Sequence, residues 1–305
     1  MLKRKARLSW QRLTLSALAG VAFMPGPAAA AVQGIGISPT SQEISLSPGE
    51  SRSGEITVIN DGDRDVSYKI YASDYHVNDE SYVGDFASSA KQADVSPVSW
   101  FTLPKGNFVV KSRLQTNFSY TVTAPPTAAV GGHYGAIFIE TLPPSGQGGA
   151  FISRIERIGS IFYITAKGDL RQTGSIAGLT APFLQSTSPV QASLRMRNDG
   201  NVHFLVDGTA QLSSVFGNVG KPVQIKGEVL PGTTRKFDLL LPSASPIGLY
   251  TVTATVKYLG RTEIVSQPLL LMPRVTFIII SATVLLLLIL GVLALLRRAK
   301  KRRRA

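Results

Sequence analysis

Three features of the 305-residue sequence predict an all-β protein, built as two tandem β-sandwich domains followed by one C-terminal transmembrane α-helix. Apolar residues alternate with period two through residues 32–274, and no sustained 3.6-residue apolar period interrupts them. Strand and turn signals from the first half return in the same order in the second. A charge-free apolar run then closes the chain ahead of a cluster of cations.

The clearest strand is Tyr250, Val252, Ala254, Val256 and Tyr258, interleaved with Thr251, Thr253, Thr255 and Lys257. One apolar and one polar face is the mark of a half-buried antiparallel strand. Glu55–Asn60, Val66–Tyr71, Asn117–Thr123 and Val190–Arg197 alternate similarly, whereas Tyr134–Ile139 and Ile161–Ala166 are apolar on both faces and are expected in sheet centres. Short strands between Pro, Gly, Asn and Asp signals indicate Ig-like sandwiches. Strand Ile56–Ile59 runs into Asn60-Asp61-Gly62, and Leu194–Arg197 runs into Asn198-Asp199-Gly200. Each tripeptide tolerates the positive φ of a tight turn. Downstream, Ala124-Pro125-Pro126 and Gly131-Gly132-His133-Tyr134 find weaker counterparts in Pro242 and Gly248-Leu249-Tyr250. Domain 1 is therefore expected over 32–168 and domain 2 over 169–272. Arg154–Ala166 would be the closing strand of the first, Leu142–Gly149 a surface loop and Tyr71–Phe101 an insertion.

The ends set a topology. Five basic residues, Lys3 to Arg12, precede the apolar stretch Leu13–Met24, and Pro25-Gly26-Pro27 then leads to Ala28–Ala31. This is the pattern of an export signal over 1–31, cleaved after Ala30 or Ala31. Twelve helical residues reach only about 18 Å, too short to cross a hydrocarbon core of about 30 Å. The 22 uncharged residues Val275–Leu296 reach about 33 Å and can cross it. The tail 297–305 carries seven cations, so it is expected in the cytoplasm, against anionic headgroups, with the body outside. No Leu-Pro-x-Thr-Gly sorting motif precedes the span.

The formal charge of +13 is a property of these ends. They hold twelve of the 32 basic residues and none of the 19 acidic ones. The body is nearly neutral, which excludes the basic groove that nucleic acid requires. With no cysteine, thiolate metal sites, Cys nucleophiles and redox pairs are excluded as well.

Enzyme constellations are missing, and no cofactor motif is present. His133 enters a core strand and His203 opens one, so both read as structural, while His76 lies in a polar loop and is the freest of the three. Asp61, Asp63 and Asp65 have calcium-loop spacing, but Val66 and Ala72 occupy the positions that need glycine and glutamate. Trp100 reads as core. The segment Ser73–Phe86 is the candidate binding loop, because tyrosine faces stack on sugar rings while carboxylates and amides bind hydroxyls. Its site residues are Tyr75, His76, Asp79 and Tyr82.

The layout as a whole resembles the WxL-interacting proteins of Gram-positive bacteria. The residues that carry the resemblance are the Asn60-Asp61-Gly62 turn, Tyr71-Ala72-Ser73-Asp74, Ser99-Trp100-Phe101, Ala124-Pro125-Pro126 leading to Gly131-Gly132-His133-Tyr134-Gly135, Asn198–His203 and Leu230-Pro231-Gly232. The resemblance implies a surface scaffold that binds peptidoglycan through its first domain and other proteins through its second. The same sandwich also resembles pilus chaperones, which bind by strand addition. The expected partners are thus bacterial cell-wall glycan, surface proteins and the membrane.

Overall fold

The computed structural model describes residues 34–86, 95–143, 155–214, 217–242 and 247–302, apart from the side chains of 218–219 and 298–302. The proposed cleavage site at Ala30 and Ala31 lies outside the described residues, as does most of the Leu142–Gly149 loop.

The first half forms two facing sheets. One has the order β1 (Ile35–Ser38), β3 (Ser51–Asn60), β9 (Gln115–Thr123), β7 (Phe101–Thr102), all antiparallel. The other has the order β2 (Ser41–Leu46), β11 (Arg157–Ala166), β10 (Gly131–Thr141), β4 (Val66–Asp74), β8 (Asn107–Val110). Here β2 runs parallel to β11, and the remaining pairs are antiparallel. Ile56, Val58, Phe118 and Val122 from the first sheet meet Leu46, Tyr68, Ile137, Ile139, Phe162 and Ile164 from the second, and all are buried. Each such Ile or Leu contributes roughly 1.5–3 kcal/mol by leaving water. The two strands read as apolar on both faces, β10 and β11, have neighbours on both sides.

The second half repeats this plan. Its sheets are β12 (Gly174–Thr180), β14 (Val190–Asn198), β17 (Thr234–Leu241), and β13 (Leu184–Gln185), β19 (Arg261–Leu271), β18 (Gly248–Tyr258), β15 (Phe204–Ser214), β16 (Gly217–Val229). Again the penultimate strand lies between the last strand and an antiparallel neighbour, and again the last strand takes a short parallel partner. Tyr250, Val252, Ala254, Val256 and Tyr258 all point into this core. Among the described residues no ladder joins the two halves, and the chain passes between them at Lys167–Thr173.

The two Asn-Asp-Gly turns exist for a reason other than the one the sequence suggested. Neither glycine nor either asparagine has positive φ. Instead the asparagine side chains are buried, at 1% exposure for Asn60 and 0% for Asn198. Asn60 Oδ1 accepts the Gly62 N–H at 2.9 Å, and its Nδ2 donates to the carbonyls of Arg64 and Val110 at 2.7 and 3.2 Å. Asn198 accepts from Gly200 at 2.8 Å and donates to Val202 and Val229 at 2.9 and 2.7 Å. In each copy one amide satisfies backbone groups of a turn and of a neighbouring strand, as buried polar groups demand.

After β19, only Met272 and Pro273 precede helix α1 (Arg274–Arg302). Its segment Arg274–Arg297 is long and apolar enough to cross a membrane, and none of it is buried against the protein.

Candidate functional site

The insertion that follows β4 contains the hairpin of β5 (His76–Val77) and β6 (Gly84–Asp85). It reaches onto the second domain. The Lys236 N–H donates to the Glu80 carbonyl at 2.8 Å, and the Glu80 carboxylate pairs with Arg195. Tyr82, at φ 59°, places its ring under the Arg235 guanidinium, 4.7 Å away. Its hydroxyl accepts the Leu230 N–H at 2.8 Å and bonds to the Thr233 hydroxyl. Burial pushes the Tyr82 phenol above its ordinary pKa.

A second set of contacts comes from β10. The Gly132 N–H donates to the Asn201 carbonyl at 2.8 Å. Gly131 is at φ 129°, and a Cβ there would stand 2.5 Å from that carbonyl oxygen, so the approach requires glycine. The Tyr134 hydroxyl accepts the His203 N–H at 3.0 Å and lies 3.2 Å from His203 Nδ1. The Tyr163 ring packs 5.2 Å from His203. Burial raises both tyrosines well above their ordinary range and lowers His203 to about 4. Beside them Glu228 is pushed up to about 7, first by burial and then by the neighbouring Glu43 carboxylate from β2. Glu228 Oε2 is buried without a hydrogen-bond partner.

Between these contacts lies a cleft of about 300 Å³, lined by residues of both domains that include Asp74, Tyr75, His76, His133, Tyr134 and Thr233. The structure therefore gathers the four predicted site residues at the domain junction, but not as an open tyrosine platform. Tyr75 is buried at 7% exposure and packs against Phe86 and Tyr163. His76, expected in a free loop, is 9% exposed, and its Nε2 lies 3.2 Å from Asp85. Tyr82 is committed to domain 2. Asp79 alone is exposed. Its carboxylate accepts from the hydroxyl and N–H of Ser81, which holds its pKa below the usual range. His133 is buried with both ring nitrogens on carbonyl oxygens, and Trp100 lies 4.3 Å from it, also buried. Sequence reasoning read His203 as structural without its partners and missed Glu43, Glu228 and Arg235. The available signal was that His203 follows the repeated Asn-Asp-Gly turn and that Glu228 and Arg235 flank Leu230-Pro231-Gly232. Among the described residues no group of three or more His, Asp and Glu can hold a metal.

No protein-family model matches the chain, and no curated protein matches it. Among solved structures, the Class 5 fimbrial chaperone CfaA is similar at 14% identity, over 79% of this chain and 100% of that one, with a TM-score of 0.38. The CsuC–CsuE chaperone–tip adhesion subunit complex of Acinetobacter baumannii is similar at 13%, over 76% and 97%, with a TM-score of 0.40. The E. coli chaperone DraB is similar at 14%, over 79% and 98%, with a TM-score of 0.36. At these identities and scores the likeness carries no functional weight.

Proposed function

We propose that this chain is a membrane-anchored binding protein of the bacterial cell surface that holds a protein partner by strand addition. The export-signal pattern of residues 1–31 and the apolar helix α1 support sandwiches outside the cytoplasm, with the cations of the tail inside. The observation that carries the binding mode is the half-open edge of β11. Its ladder with β2 begins at Ile161, so among the described residues Arg157–Ser160 is paired only to β10. By register this stretch lies at the end of domain 1 remote from the Gly132–Asn201 junction. Ile155, just before it, is 58% exposed, and Ser160 Oγ is buried without a partner. An unpaired row of backbone groups beside an exposed apolar side chain suits an added strand. The test is photocrosslinking from position 155 or 157 of the full chain in its own cell. A discrete adduct with one surface protein is expected there and not from position 263. An adduct at none of them defeats the reading.

A second reading is wall binding, which the resemblance to WxL-interacting proteins implies. It draws support from the polar groove at the junction rim, lined by Asn78, Asp79, Glu80 and Thr233 among others. Full chain in detergent would then be retained on peptidoglycan, and Asp79→Ala would release it. Absence of retention would remove this reading and leave the first untouched.

A further inference from the structure

We infer that the helix-proximal end of the second sandwich is seated on the bilayer, with Phe183, Leu184, Leu240, Ile247 and Leu249 in the headgroup–acyl boundary. This rests on the reading of α1 as the membrane span. The first support is reach. Only Met272 and Pro273 separate β19 from α1, and two extended residues span about 7 Å. The connection is also pinned. The Leu270 N–H donates to the Phe183 carbonyl at 2.6 Å, and the Met272 N–H to the Gln185 carbonyl at 2.8 Å. Leu184, Met272, Arg274 and Phe277 line one shared depression at this root. The domain has no slack with which to stand clear of the surface.

The second support is where the apolar side chains lie. Pairing sets Leu249 opposite Leu270 and Gly248, next to Ile247, opposite Leu271. Leu240 pairs with Gln191, whose backbone is held by the Gln185 side chain. The described part of this domain exposes seven large apolar residues: Phe183, Leu184, Leu205, Leu240, Ile247, Leu249 and Ile264. Five of them are at this end. A soluble domain scatters such residues singly, whereas a concentrated rim marks an interaction surface. The rim is continuous with the root of the span, and this identifies the lipid interface as its occupant.

The third support is charge. The stretches 181–191, 211–214, 217–221, 239–242, 247–251 and 267–274, which build the described part of this end, contain no Asp or Glu. A carboxylate there would face anionic headgroups and lose hydration. The acidic residues of the domain, among them Glu228, lie toward domain 1 or along the strands.

The experiment places single tryptophans in the full chain, reconstituted in nanodiscs of phosphatidylglycerol and phosphatidylcholine with acyl chains brominated near the headgroup. The variants are Phe183→Trp, Leu249→Trp, Leu205→Trp at the opposite end of the domain, and Leu287→Trp within α1. Native Trp100, buried in domain 1, gives the same background in each. Emission at 183 and 249 is expected to fall on bromination as it does at 287, and emission at 205 to stay constant. Loss at 287 alone would leave the span intact and overturn the seating. Loss at none would overturn the anchor and the seating together.

Discussion

The Tyr82 hydroxyl accepts the Leu230 N–H at 2.8 Å across 148 residues of chain, and this bond lies between two domains with separate sheets and cores. It makes the insertion of domain 1 a clasp. Tyr82→Phe keeps the ring under Arg235 but leaves the Leu230 N–H without its acceptor, a loss of about 1–2 kcal/mol of docking free energy. Tyr82→Ala also removes the cation–π contact and should cost more. Because the chain has no cysteine, spin labels on Lys105→Cys and Lys257→Cys report the inter-domain distance directly. The distribution should broaden from wild type to Phe to Ala, and an unchanged width in Tyr82→Ala would contradict the clasp.

Gly131→Ala should separate the domains by another route. The new Cβ meets the Asn201 carbonyl at 2.5 Å in a backbone conformation that L-residues rarely adopt, a strain of about 1–3 kcal/mol. The same label pair should broaden, while Gly49→Ala, at positive φ but with open space around it, should leave the distance unaffected.

The junction should show a pH dependence that the wild type conceals. Glu228 is raised from 4.5 to about 7, so its contribution to folding is full at low pH and is lost as pH rises toward 7. His203 is lowered from 6.5 to about 4, so the native state binds its proton less readily and stability rises with pH from about 4 to 6.5. The two slopes oppose each other between about 4.5 and 6.5, each at about 1.4 kcal/mol per pH unit for one proton. Stability of the wild type measured by urea titration should be nearly flat there. Glu228→Gln should grow more stable with rising pH, and His203→Gln less stable. Parallel curves for all three proteins would refute the assignment.

Asn60→Ala and Asn198→Ala should each destabilise their own domain by about 2 kcal/mol or more, since each strands several buried backbone groups at once. Asp61→Ala and Asp199→Ala, at the next position in each turn, should cost less than half as much in the same urea titration.

These turns show how far a sequence can be read. Asn60 and Asn198 were visible as a repeated punctuation, and the punctuation did mark corresponding places in two copies of one topology. Its cause was not visible, because the partners of Asn198 include the carbonyl of Val229, 31 residues away. The alternation through Tyr250–Tyr258 was legible because burial of one strand face is a local, period-two property. The burial of Tyr75 and His76 was not, because polar and aromatic residues in an insertion look alike whether they meet water or another domain.

The sequence by itself determined the all-β class, the doubled sandwich and a terminal helix apolar enough to span a membrane, since each is written in residue periodicity or composition. Only the tertiary structure decided that Ser73–Phe86 closes on domain 2, that Glu228 and His203 share one buried junction, and that the exposed apolar residues of domain 2 gather at the root of α1. Those relationships join residues far apart in the chain, and their energies come from burial and hydrogen-bond geometry that exist only once both domains have folded and met.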